Sequence, residues 1–237
     1  MELSCRNEQS GPHATSRVGA RRRLWRTGVL YAAGLSTFAV LAAFAHLYAF
    51  FGWDVPAQDF ICHIQVPGFA NSMRFVSVAA NGKTPHILTV LTSLIFLLMG
   101  LRIEAAGLFF SATGSSLVNL IAKLLIARPR TLPESNSLIT TYTGNSFPSG
   151  HVTFYVCYFG FLFFVSHALL PREWLTRRLA LTVTALPVLL IGFSRVYLGA
   201  HWPSDTVGAY VLGGVWLAFS IGMYRRMKQQ SSRDLRV

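Results

Sequence analysis

Ser194-Arg195-Val196-Tyr197-Leu198-Gly199-Ala200-His201-Trp202-Pro203-Ser204-Asp205 sets an arginine, a histidine and a carboxylate between two long apolar segments, residues 179–193 and 207–223. Charged side chains at the margin of apolar spans are costly and call for a partner or a purpose. His201 and Asp205 are four residues apart, so one helical turn lets the carboxylate hold one ring nitrogen and leaves the other as a nucleophile or base. The same spacing also serves a simpler end, capping the helix that Pro203 opens.

Upstream, Lys123-Leu124-Leu125-Ile126-Ala127-Arg128-Pro129-Arg130 puts a lysine near the end of an apolar run, with arginines five and seven residues on. Seven residues is about two helical turns, so Lys123 and Arg130 can face the same way. Alternatively the lysine snorkels and the arginines meet lipid head groups. Phe147-Pro148-Ser149-Gly150-His151 then leads into another apolar run. A helix starting there aims free N–H groups and its positive dipole end at an anion, and Gly150 removes a side chain from the approach. Ser149 is either a hydroxyl donor to that anion or simply the helix cap, and His151 at the mouth can give a proton to a departing oxygen. Together these are the parts for phosphoryl transfer without a metal: electrostatic clamps, a nucleophile held by a carboxylate, and a general acid.

The elements that must position them are apolar. Hydrophobic residues make up 52% of the 237 and charged residues only 13%, with a mean hydropathy of +0.45, which excludes an ordinary soluble domain. The expected fold is all-α, a polytopic membrane bundle with six transmembrane helices at 28–53, 85–101, 105–127, 151–170, 179–193 and 203–223. Of the 21 cations 18 are arginines; they crowd the basic tails 1–26 and 225–237 and the 171–178 connection. The net charge of +12 therefore reports topology, not nucleic-acid binding. Tail 1–26 is expected to be disordered and cytoplasmic, the six-helix domain to fill 27–224, and the second tail to be cytoplasmic too. Segments 123–150 and 194–205 then fall outside, despite their basic residues. Residues 54–84, broken by Pro56, Pro67, Gly68 and Gly82, read as a piece lying along the membrane surface. Gly114-Ser115-Ser116 in the third span allow close helix approach. Cys5, Cys62 and Cys157 form neither a disulfide framework nor a zinc motif.

In these motifs the chain resembles the type 2 phosphatidic acid phosphatase superfamily of membrane lipid phosphatases, whose signature is Lys-x6-Arg-Pro, Pro-Ser-Gly-His and Ser-Arg-x5-His-x3-Asp. The chain carries Lys123-x6-Arg130, Pro148-Ser149-Gly150-His151 and Ser194-Arg195-x5-His201-x3-Asp205, with Thr131 in place of the first motif's proline. An extra Arg128-Pro129 precedes it, as in bacterial-type members, so either Arg128 or Arg130 faces the phosphate, with spacing favouring Arg130. The resemblance implies catalytic residues His201, as the nucleophile that forms a phosphohistidine, His151, as the acid, and Asp205, which orients His201. It implies phosphate binding by Lys123, Arg130, Ser149, Gly150 and Arg195, with no metal and no cofactor. The implied partners are membrane lipids and a lipid phosphate or isoprenoid pyrophosphate substrate, such as undecaprenyl pyrophosphate, phosphatidate, phosphatidylglycerophosphate or a lipid A phosphate. The implied location is a bacterial inner (plasma) membrane, with the site on the non-cytoplasmic face. Two rival readings are a vanadate-dependent haloperoxidase-like oxidase, which shares this kind of site, and a non-catalytic transporter or lipid-binding scaffold.

Overall fold

The computed structural model describes residues 12–130, 144–172 and 175–234. Among them the chain is helical, in the order α1 (Pro12–Leu47), α2 (Asp54–Cys62), α3 (Phe69–Ser77), a 3-10 turn (Val78–Ala80), α4 (Thr84–Leu98), α5 (Arg102–Ile126), α6 (Gly150–Leu169), α7 (Leu175–Tyr197) and α8 (Pro203–Asp234). Each of the six expected spans contains a helix, although α1 ends at Leu47 and α4 at Leu98, short of the expected 53 and 101. Five of these helices are long and apolar enough to cross a membrane, while α4 is shorter at 15 residues. At 1.5 Å per residue α4 is about 22 Å long, short of ~30 Å of hydrocarbon.

Several boundaries differ from expectation, chiefly because polar residues extend apolar helices when nothing breaks them. Residues 12–26 are the first turns of α1, not a disordered tail, and 225–234 continue α8; residues 1–11 and 235–237 lie outside the described residues. Ser194 and Arg195 belong to the last turn of α7, not to a connecting loop. Segment 54–84 forms α2 and α3, which pack on α7 and bury Asp54, Met73 and Ser77, and the 3-10 turn, which packs on α4 and α6.

Helix α6 is central, flanked by α5, α7 and α8. Val152, Tyr155, Cys157 and Phe161 on it are almost fully buried, as expected of a helix apolar all round. Close approach depends on small residues: a Cβ on Gly114 would run into the Trp216 ring of α8, and one on Gly208 into the Phe147 ring. Conversely α1 and α4 expose Leu30, Leu35, Ile87, Leu94 and Leu98, surfaces suited to lipid.

The bundle has two chemically different ends. At one, Lys228 Nζ lies 2.6 Å from Glu104 Oε1, Tyr224 also donates to Glu104, and Arg225 stacks over Phe164. This end therefore gathers the start of α5, the end of α6 and the end of α8. The end of α5, the start of α6, the end of α7 and the start of α8 meet at the other.

Candidate active site

Helix α5 stops at Ala127, whose left-handed backbone (φ 52) caps it. For a residue with a Cβ this conformation costs roughly 1–2 kcal/mol, and it turns the chain so that Arg128 points inward. Arg128 is fully buried and makes four hydrogen bonds. Its Nη1 donates to Asp205 Oδ1 (2.6 Å) and Ser204 Oγ (2.8 Å), Nη2 to Asp54 Oδ2 (3.1 Å), and Nε to the Ala49 carbonyl (3.1 Å). The guanidinium also stacks over Phe51. Asp54 in turn accepts from the Ser204 amide, the Ser204 hydroxyl and the Phe51 amide. Both buried carboxylates are thus compensated by one planar donor, the geometry to which arginine is suited.

Asp205 serves the cap and the histidine together. It is the third residue of α8, and its Oδ2 accepts from the Trp202 amide at 3.1 Å, the reach-back half of a capping box. The same oxygen lies 3.3 Å from His201 Nδ1, so the two alternatives offered by the spacing coexist. The separation is long for a charge-assisted bond, and it would tighten once the ring carries positive charge. Nδ1 is the ring nitrogen turned to Asp205. Burial, reinforced by Lys123, Arg130 and Arg195, pushes His201 well below the usual imidazole pKa, while a backbone hydrogen bond with Ser146 opposes the shift.

One cavity of about 450 Å³ is lined by Leu120, Lys123, Leu124, Arg130, Gly144, Asn145, Gly150, His151, Arg195 and His201. Lys123 is steered by the Asn145 and Ser146 carbonyls, 2.6 and 3.2 Å from Nζ. Arg195 Nη1 donates to Ser77 Oγ, which also meets Ser194 Oγ, so α3 braces the end of α7. Arg130 lines the cavity and Arg128 does not. Ser149 occupies the cap position of α6 but makes no capping bond, and its buried hydroxyl has no partner among the described residues. Its amide donates to the Asp205 carbonyl, stitching α6 to α8. Asn119 Nδ2 donates to Thr153 Oγ1, and Asn119 Oδ1 leaves a Cβ on Gly150 little room. His151 Nε2 lies 2.8 Å from Asn81 Oδ1.

Every site residue expected from the motifs other than Asp205 and Ser149 lines the cavity, and those two stand directly behind it. Asp54, Ser204, Asn81, Asn119 and Asn145 carried no sequence signal, except that Asp54 opens the polar, broken 54–84 stretch. Thr131, the departure from the first motif, lies outside the described residues. Among the described residues no three His, Cys, Asp or Glu side chains gather as a metal-ligand set.

Comparison with known proteins points the same way. The bacitracin transport permease protein BcrC of Bacillus licheniformis is 35% identical over 83 residues, 35% of this chain and 36% of that protein. Phosphatidylglycerophosphatase B of Bacillus subtilis (strain 168) is 33% identical over 99 residues, 41% of this chain and 46% of that protein. The chain thus aligns with less than half the length of either relative. In fold it is similar to the crystal structure of a transmembrane PAP2-type phosphatidylglycerolphosphate phosphatase from Bacillus subtilis (TM-score 0.67, 22% identity, 83% of this chain and 96% of that one). It is also similar to Aquifex aeolicus LpxE (TM-score 0.55, 21% identity, 73% and 96%). The PAP2 superfamily model matches residues 104–229, more than half of the chain and all of the cavity's charged residues, and this integral membrane protein belongs to that superfamily.

Proposed function

We propose that the chain is a phosphatase that releases inorganic phosphate from a lipid phosphate or isoprenoid pyrophosphate through a phosphohistidine. The observation that carries this reading is the convergence of Lys123, Arg130, Arg195, His151 and His201 on one cavity whose wall continues into apolar Leu120 and Leu124. That is a receptor for an anion on an apolar tail.

The three cations, the Gly150 amide at the start of α6 and the Ser149 hydroxyl hold the phosphate oxygens, and they hold them more tightly as charge builds in the transition state. His201 Nε2 attacks phosphorus while the bond to the leaving oxygen breaks, and protonated His151 gives that oxygen its proton. Asp205, itself held by Arg128, stabilises the positive phosphoimidazole. His151, now neutral, takes a proton from water as the water attacks phosphorus. The P–N bond breaks, returning His201 and freeing phosphate. Charge neutralisation is assigned to side chains, so turnover is metal-independent.

The site faces away from the cytoplasm in this reading. Arg102, Arg172, Arg178, Arg225, Arg226 and Lys228 belong to the opposite end of the bundle, the basic one that the positive-inside tendency keeps in the cytoplasm. Phosphate release in detergent, with EDTA present, from phosphatidate, phosphatidylglycerophosphate, undecaprenyl pyrophosphate and a lipid A phosphate tests the proposal and ranks substrates. Release from at least one is expected; none from any, or activity restored only by magnesium, overturns it.

A further inference from the structure

Each histidine of the cavity has one ring nitrogen facing a side-chain oxygen, and the two oxygens differ in charge. His201 faces the Asp205 carboxylate, and His151 faces the neutral amide oxygen of Asn81, at 2.8 Å. Asn81 directly follows the 3-10 turn Val78–Ala80 and lies outside all three motifs. That turn is anchored: Tyr155, one helical turn beyond His151 on α6, donates to the Val76 carbonyl and accepts from the Ala79 amide at 3.2 Å. The loop carrying Asn81 is therefore fixed to the same helix that carries His151.

Resting on the phosphatase reading, we infer that Asn81 is the positioning residue of the general acid: it binds His151 Nε2 and so presents Nδ1 to the leaving oxygen. The chemistry asks for an amide at this place. A nucleophile that becomes positively charged gains from a carboxylate behind it, whereas an acid that must surrender its proton is hindered by one, because the carboxylate holds the proton on the ring. An amide oxygen fixes the ring and its tautomer without that penalty. The other charged or titratable groups around His151 are Arg195 at the end of α7, His201, Arg130 after α5, and Lys123 on α5. All are basic, so a new carboxylate at position 81 would be the acidic group closest to the ring.

The test compares an alkyl lipid phosphate, whose leaving oxygen needs a proton, with 4-nitrophenyl phosphate, whose leaving oxygen does not. Asn81→Ala should lower kcat on the alkyl substrate by about 10-fold or more, within the ~10²-fold or greater contribution of a general acid. It should leave kcat/KM for 4-nitrophenyl phosphate, which reports only the steps up to loss of the leaving group, and inhibition by orthovanadate within about twofold of the parent, a margin small beside any general-acid effect. Adding Asn81→Ala to His151→Ala should cost nothing further, as for residues acting as a unit. Asn81→Asp should move the alkaline limb of the kcat/KM profile to higher pH. Equal losses on both substrates, an unchanged alkyl rate, additivity with His151→Ala or an unmoved alkaline limb would each overturn the assignment. Parent protein inactive on both substrates would overturn the phosphatase reading itself; parent turnover that Asn81→Ala leaves untouched would sink only the role of Asn81.

Discussion

Arg128 Nη1 sits 2.6 Å from Asp205 Oδ1 with both side chains fully buried, so the first arginine of Arg128-Pro129-Arg130 supports the carboxylate behind His201 and the second lines the cavity. Two arginines separated by one proline thereby take opposite directions. Pro129, with its fixed φ and missing amide, stands between them, and the Arg128 carbonyl is tied to the Ser146 amide.

Replacing these arginines should therefore give different defects. Arg128→Ala leaves Asp54 and Asp205 buried without their cation, and loss of one partner from a buried pair costs about 3–5 kcal/mol, so thermal unfolding in detergent should shift sharply downward. Arg130→Ala should keep the parental melting temperature and lower kcat/KM by about 10²–10³, the effect of removing one transition-state donor. A stable Arg128→Ala protein beside an unfolded Arg130→Ala protein would exchange the two roles.

The histidines should separate by leaving group. His201→Ala removes the group that accepts phosphorus, so turnover should vanish for every substrate and no acid-stable or base-stable phosphoenzyme should be trapped from radiolabelled lipid phosphate. His151→Ala should cost most with an alkyl leaving group and least with an aryl one. Asp205→Asn should fall between, because the imidazole keeps its place but loses the stabilisation of its positive charge. Label surviving in His201→Ala and lost in His151→Ala would invert the assignment.

Acid should destabilise the protein through His201. Its folded pKa lies well below 6.5, so below about pH 6.5 the unfolded chain binds a proton that the folded chain does not, and stability falls as pH falls. The contribution is fully present above the unfolded pKa. Between pH 6.5 and 5 the parent should lose stability more steeply than His201→Gln, by at most about 1.4 kcal/mol per pH unit, one proton's worth. Equal slopes in chemical denaturation would show that His201 titrates alike in both states.

Orientation can be read with reporter fusions. An alkaline phosphatase moiety inserted between Pro133 and Asn145 should be active, and one fused after Val237 inactive, if the end of the bundle carrying Lys123, His151 and His201 faces outward. The reverse pattern would turn the cavity toward the cytoplasm.

The sequence by itself determined the helices and most of the residues that line the cavity. Long apolar runs have one low-energy form in a membrane, since only a helix satisfies its own backbone there, and the spacing of His201 and Asp205 on one turn holds wherever that turn forms. It also determined that Lys123, Ser149, Gly150 and His151 sit at helix ends, because the apolar runs stop beside them. Tertiary structure decided the rest. Arg128 and Arg130 have nearly the same local sequence, and only Asp54, 74 residues before Arg128, and Asp205, 77 after it, draw one of them into the interior. Asn81 meets His151 across 70 residues, and neither Asn81 nor Asp54 stands in any periodic pattern, so their partners exist only once α2 and α3 have packed against α7 and the turn after them against α6. A buried charge is recognised by what compensates it, and in this chain the compensating groups come from elements far apart in sequence.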